Sequence, residues 1–249
     1  NPNVRCGPSD YAIDVSDSPI DIANYNGVGG ATVLYSGHYP RFHSSDFRTW
    51  SEDKVGVDWP FSYVDLIRHY EANEKFLGVA GLPGDPSYPD FMSHLLPPLP
   101  LGSAGEDLAK AFNRLGWHWW PSYSAILQNS RGCRKACVME GPCNTGCFNG
   151  AKGSADVTFM RKAIHQGLDL KVNTVVTALI FDGGHVRGVR TVARDGVVSV
   201  IRADKIVLAA NAVGTCRLLW SGEKNTYIGN SSGQVGKNFM MHPLGYVEG

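Results

Sequence analysis

The chain has 249 residues, 43% of them hydrophobic and 18% charged, enough to bury a sizeable core and too apolar for wholesale disorder. Lys plus Arg and Asp plus Glu number 23 each, and the resulting net charge of zero lacks the basic footprint of a nucleic-acid binder. No apolar run reaches the roughly 18–20 residues needed to span a bilayer as a helix. The length allows one large domain or two small ones. The chain opens on Asn1-Pro2-Asn3, without Met or a basic-then-apolar leader, and stops at Gly249, so both ends read as cut.

In chain order, residues 32–35 (Thr-Val-Leu-Tyr) form a short β-prone run after a Gly29-Gly30 turn. Residues 62–77 read as a helix capped by Ser62, with Leu66, Tyr70 and Leu77 along one face. Residues 81–100 are rich in proline, including Pro97-Pro98, and predict a loop. A second helix is expected over 104–115, stopped by Gly116. Beyond a cysteine- and glycine-rich loop, a third is expected over 154–166, closed by Gly167. The β-branched runs 170–181 and 186–193 flank Asp182-Gly183-Gly184, a hairpin signal, and 197–201 adds a further strand. Residues 205–210 predict a buried strand that feeds a helix over 215–220. This order suggests an α/β layer carrying an antiparallel accessory sheet.

Two loops carry the candidate chemistry. Residues 26–32 (Asn-Gly-Val-Gly-Gly-Ala-Thr) hold three glycines in four positions, which permits positive φ and lets backbone N–H groups approach a ligand's oxygens. The loop is not a dinucleotide fingerprint, because Thr32 stands where the third glycine of Gly-x-Gly-x-x-Gly belongs. The second loop gathers Cys133, Cys137, Cys143 and Cys147 among Gly141, Pro142 and Gly146. Such a cluster suits iron–sulfur ligation, unligated or redox thiols, or zinc. Cys6 and Cys216 read as ordinary buried thiols. Lys152 reads as a solvated lysine, with contact to a phosphate or acidic partner as the alternative. The Trp117-His118-Trp119-Trp120 run suits either a sugar pocket or core packing.

The glycine loop through Tyr35, Ser36 and Gly37, followed by Arg41, resembles the flavin-contacting loop of the glucose–methanol–choline (GMC) oxidoreductases. The resemblance continues in register through Asp46-Phe47 and the block from Asp58 to Tyr63, then through Tyr70, Glu74 and Phe76. It resumes at Gly150-Ala151-Lys152-Gly153-Ser154, at the segment from Ala209 to Leu219, and at the segment from Gly236 to Pro243 that contains His242. Ala31 in place of Ser or Thr, Tyr35 in place of Asn or His, and Asn211 and Cys216 in place of Gly and Pro are similar to the gluconate- and glucose-dehydrogenase-like bacterial branch.

That resemblance implies an incomplete FAD-binding domain of the p-hydroxybenzoate-hydroxylase-like α/β type. Its flavin-contacting segment would cover 1–59, a cap or substrate segment 60–130, and the cysteine loop with the rest of the FAD domain 131–249. It implies FAD contacts at Asn26, Gly29, Gly30, Thr32, Val176 and Asn211. It also implies oxidation of a CH–OH group of an alcohol, sugar or polyol by hydride transfer to flavin. The family's histidine base is expected beyond Gly249, which would leave this piece inactive alone. Cys137, Cys143 and Cys147 resemble the triplet that binds a three-iron cluster in multi-subunit enzymes of that branch. The resemblance therefore implies a cytochrome-like acceptor subunit, in a membrane-associated complex of cytoplasm or periplasm. Two rival functions are a non-enzymatic iron–sulfur or metal-binding module and an NAD-type Rossmann oxidoreductase. The blocks outside the cysteine loop count against the first, and the missing fingerprint counts against the second.

Overall fold

The computed structural model describes residues 16–19, 25–88, 95–220 and 228–240. Cys6 and His242 lie outside the described residues. The chain divides into two units, Asn1–Asp169 and Leu170–Gly249.

In the first unit the core is assembled from short extended segments rather than long strands. Ser124 bridges His38 on one side and Ala80 on the other, Ala80 also bridges Leu96, and Ile126 bridges Lys152. These segments pack Leu77, Val79, Tyr123 and Ala125 into one cluster, with Tyr39, Phe76, Leu95 and Trp120 against it. Helix α1 (Thr49–Asp53) follows a 3₁₀ turn at Ser44–Phe47. The buried Phe47 ring is surrounded by Trp59, Phe61 and Tyr63, with ring centroids 6.0–6.5 Å away. Asp58 receives the Ser51 N–H at 2.9 Å and closes this aromatic knot.

Helix α2 (Tyr63–Leu77) starts where its sequence signals it. Ser62 and Asp65 form a reciprocal capping box, and Gly78 ends the helix at φ 75°. Helix α3 (Gly102–Leu115) begins two residues before the expected start and stops at Gly116, φ 68°. Helix α4 is confined to Phe159–His165, shorter than the expected 154–166. The missing first turn has another use: Ser154 is buried and its carbonyl accepts from Thr158 Oγ1 at 2.7 Å. Phe159 of α4 stacks on Phe76 of α2, centroids 4.6 Å apart.

The second unit carries a three-stranded antiparallel sheet in the order β1 (Thr174–Asp182), β2 (His185–Ala193), β3 (Val198–Arg202). Its first turn is the expected Gly183-Gly184, both at positive φ. Gly188 has to be glycine, since a Cβ there would lie 2.6 Å from Ile201 O on the neighbouring strand. The expected buried strand over 205–210 does not form. That segment has no strand partner among the described residues, and Val207 is 87% exposed. Helix α5 (Asn211–Trp220) instead starts four residues before the expected 215.

Candidate functional site

The glycine loop is a tight 3₁₀ turn, Gly30–Val33, and not the expected start of a strand. Gly29 (φ 96°) and Gly30 (φ 56°) both occupy left-handed backbone, which curls the chain before β-prone residues can extend. Gly30 N–H closes the turn on Gly27 O at 2.9 Å, and Leu34 N–H on Ala31 O at 3.0 Å. The two central glycines face different surroundings. A Cβ on Gly29 would meet Val33 Cγ2 at 2.9 Å and Asp156 Cβ and N at 3.0 Å, whereas a Cβ on Gly30 would meet nothing within 4 Å. Gly29 is therefore packed on protein, while Gly30 opens on free space; Asn26, at the start of the loop, is exposed.

Thr32 ties the loop down. Its hydroxyl donates to Gly29 O at 2.5 Å and accepts from Ala155 N–H at 2.9 Å. Lys152 does the same from below, and the expectation of a solvated lysine is corrected: it is 1% exposed. Its ammonium donates to Val33 O (2.7 Å), Tyr35 O (2.6 Å) and Cys143 O (2.7 Å), which satisfies all three of its donors and joins the glycine loop to the cysteine loop. Burial holds its pKa below the ordinary lysine value, while Cys143, Cys147 and Asp156 act in the opposite direction. Tyr35 donates to Gly153 O at 3.1 Å. Burial pushes its phenol up to about 12, with Tyr39 adding to the rise and Arg134 opposing it.

Behind the loop, Arg41 forks onto Glu74, with Nε to Oε1 and Nη2 to Oε2 both at 2.5 Å. Its Nη1 reaches Tyr63 Oη at 3.0 Å, and its guanidinium lies 5.2 Å from the Tyr70 ring centre. Arg41 and Glu74 are both at most 3% exposed. Four separate positions of the sequence resemblance thus meet in one buried cluster that fixes the chain leaving the glycine loop. Arg134, which the sequence did not single out, is a comparable anchor. It donates to Leu77 O (2.6 Å), Gly150 O (3.0 Å) and Ala151 O (2.8 Å), so its side chain holds only backbone.

Val176 and Asn211 belong to the second unit. Val176 lies on β1, half-buried, and its carbonyl accepts from Arg217 Nη2 of α5 at 3.1 Å. Asn211 sits at φ 60° and receives Gly214 N–H on its Oδ1 at 2.9 Å, so it caps α5 at its first turn.

The structure lends no support to the metal expectation for Cys137, Cys143 and Cys147. All three line one shallow cavity, with Met139, Glu140 and Phe148. Among the described residues, however, no three His, Cys, Asp or Glu side chains are grouped to hold a metal ion. The thiols serve local partners instead: Cys147 Sγ contacts Asn149 Oδ1 at 3.0 Å, and Cys137 Sγ accepts from Met139 N–H at 3.4 Å. Positive φ at Gly141 (85°) and Gly146 (114°) folds the loop onto itself around those contacts.

The aromatic run 117–120 serves partly as a staple. Trp120 Nε1 donates to Leu82 O at 2.7 Å, Trp119 Nε1 to Asn113 Oδ1 at 2.9 Å, and His118 Nε2 lies 3.1 Å from buried Asp85. Trp117 is 62% exposed, and the His118 ring is exposed as well.

This combination of a packed glycine turn opening on free space, with an antiparallel accessory sheet later in the chain, is accompanied by a family match over residues 15–244. The chain belongs to the GMC oxidoreductase family. It is 36% identical to the 2-methyl-1,2-propanediol dehydrogenase of Mycolicibacterium austroafricanum, over 98% of this chain and 45% of that protein. It is 32% identical to the paromamine 6'-oxidase of Streptomyces fradiae, over 89% of this chain and 42% of that protein. The fructose dehydrogenase large subunit of Gluconobacter japonicus is 29% identical, over 87% of this chain and 41% of that subunit. The chain thus spans under half the length of each of these relatives. A solved FAD-dependent oxidoreductase from Chaetomium thermophilum superposes with a TM-score of 0.53 at 17% identity, covering 81% of this chain and 35% of that one, a likeness of fold.

Proposed function

We propose that this chain is the flavin-holding part of an FAD-dependent oxidoreductase that oxidises a CH–OH group of an alcohol, sugar or polyol. The observation that carries the proposal is the glycine loop: its Gly30 face is open, its Gly29 face is packed, and its shape is held by Thr32 and Lys152. Backbone N–H groups and an unobstructed α-carbon are what a flat cofactor ring needs for close approach. FAD, when bound, would supply the hydride acceptor. The chain's own part is positional. Gly29 and Gly30 shape the cradle, Thr32 and Lys152 prevent it from relaxing, and the Arg41–Glu74 fork fixes its exit. Residues 60–130 are the proposed cap or substrate segment, with Trp117 as an apolar face toward a sugar or alcohol.

The substrate class is supported by the names of the relatives, which include a propanediol dehydrogenase, a paromamine oxidase and a fructose dehydrogenase. An acceptor subunit is part of the same reading, and the likeness to a protein named as a large subunit supports a multi-subunit assembly. The cysteine loop forms no part of the proposed electron path. The test is an absorption spectrum of the purified full-length enzyme, followed by anaerobic addition of 1,2-diols, ketoses and amino sugars. A flavin spectrum bleached by one of these classes is the expected result. Protein that carries no flavin and takes none up would refute the proposal.

A further inference from the structure

Of the polar side chains of the glycine loop, that of Thr32 is already engaged. Thr32 Oγ1 uses its proton on Gly29 O and one lone pair on Ala155 N–H. The next residue along, Asp156, is in the opposite condition. Among the described residues, Asp156 Oδ1 is the buried side-chain oxygen or nitrogen with no hydrogen-bond partner. An acceptor sealed from water without a donor is costly, and more so for a carboxylate. Its place is defined by Gly29, whose Cβ position would fall 3.0 Å from both Asp156 Cβ and Asp156 N. Lys152 is coupled to Asp156 by charge but cannot be its donor, because all three ammonium N–H groups already point at carbonyls. No side chain of the loop donates to it, and the free space beside Gly30, one residue from the contact, is where a donor can enter.

We propose that Asp156 is a cofactor-contacting residue whose carboxylate accepts a hydrogen bond from a hydroxyl or N–H on the flavin–ribityl half of FAD. The proposal rests on the FAD reading above and adds to it a residue that the sequence did not mark. A modest rotation of the side chain toward Gly30 exchanges an orphaned oxygen for a paired one, so binding FAD relieves that cost.

The test uses the full-length enzyme stripped of flavin and titrated with FAD and with riboflavin, binding being read from quenching of flavin fluorescence. The wild type binding neither would refute the FAD reading itself, independently of Asp156. With the wild type binding, Asp156→Ala is expected to weaken FAD about 10- to 150-fold, the worth of one hydrogen bond to a charged group, and riboflavin by a similar factor. Unchanged FAD affinity, within about twofold, in a variant with wild-type circular dichroism would overturn the proposal. Loss for FAD but not riboflavin would place the donor on the adenosine half and overturn it as stated. Should Asp156→Ala not fold, the near-isosteric Asp156→Asn decides by infrared difference spectroscopy. FAD binding should perturb a carboxylate band that is absent from Asp156→Asn, and identical difference spectra from the two proteins would sink the idea.

Discussion

Replacing Glu74 by Gln tests whether the Arg41 fork holds the site together. The change is nearly isosteric, but it removes the negative charge and turns an amide N–H₂ toward a guanidinium that has only donors. Arg41 keeps Tyr63 Oη, the Tyr70 ring and one bond to the amide oxygen, and loses the second of its two 2.5 Å carboxylate bonds together with the opposing charge. Both partners are almost fully buried, so water cannot replace what is lost. Removing one member of such a pair typically costs about 3–5 kcal/mol, because the remaining charge is left buried. For a folding unit of 150–250 residues that corresponds to a melting temperature lower by roughly 6–20 °C. Arg41→Met should cost a comparable amount. The double variant Arg41→Met/Glu74→Leu should recover much of the loss, since an apolar pair leaves no orphaned charge. Urea titrations of the wild type, Glu74→Leu, Arg41→Met and the double variant, followed by circular dichroism, supply the cycle, with Glu74→Gln measured beside them. Single variants costing under about 1 kcal/mol, or a double variant costing the sum of the singles, would refute the reasoning.

The remaining expectations concern the two loops. Gly30→Ala should lower the stability of the flavin-free protein by only about 1 kcal/mol, the strain of an L residue at φ 56°, yet impair FAD binding measurably; equal FAD affinity in the two proteins would remove Gly30 from the site. Tyr35→Phe should flatten the alkaline end of the stability profile. The folded phenol titrates at about 12 against 10.0 unfolded, so its contribution is complete below pH 10 and is lost as the pH rises from 10 to 12. Tyr123 acts in the same sense, while Lys152, whose pKa is lowered, becomes less costly to bury as the pH rises toward 10.5, so only the difference between Tyr35→Phe and wild type is diagnostic. Cys143→Ser should leave both melting temperature and flavin content near wild type, because Lys152 holds that residue's carbonyl and not its sulfur; loss of flavin together with iron would reinstate a cluster.

Helix α2 was legible in the sequence because its signals are local: Ser62 and Asp65 cap it and Gly78 stops it within one continuous stretch. The Gly183-Gly184 turn was legible for the same reason. The glycine loop was correctly marked as special but wrongly extended, since β-propensity at Val33 and Leu34 was outweighed by two consecutive left-handed glycines. The core of the first unit left no periodic trace, because isolated bridges such as His38 to Ser124 have too few residues to alternate. Lys152 was misread because lysine is ordinarily exposed. Its three carbonyl partners come from positions 33, 35 and 143, and nothing local announces them. Asn211 matched a family position, but its neighbours give it a capping duty that the pattern could not express.

The Lys152 tether also sets a schedule. The carbonyl of Val33 and the ammonium that grips it are 119 residues apart in the chain. At about 5–20 residues per second of synthesis, the glycine loop leaves the ribosome roughly 6–24 s before its clamp exists. During that interval only contacts available to the N-terminal stretch can hold the turn, and Thr32 still awaits Ala155 as well. On the FAD reading proposed above, cofactor loading would wait until the cysteine loop and the segment after it have been made. A nascent chain stalled before residue 152 would present the glycines without the grip that makes them a cradle.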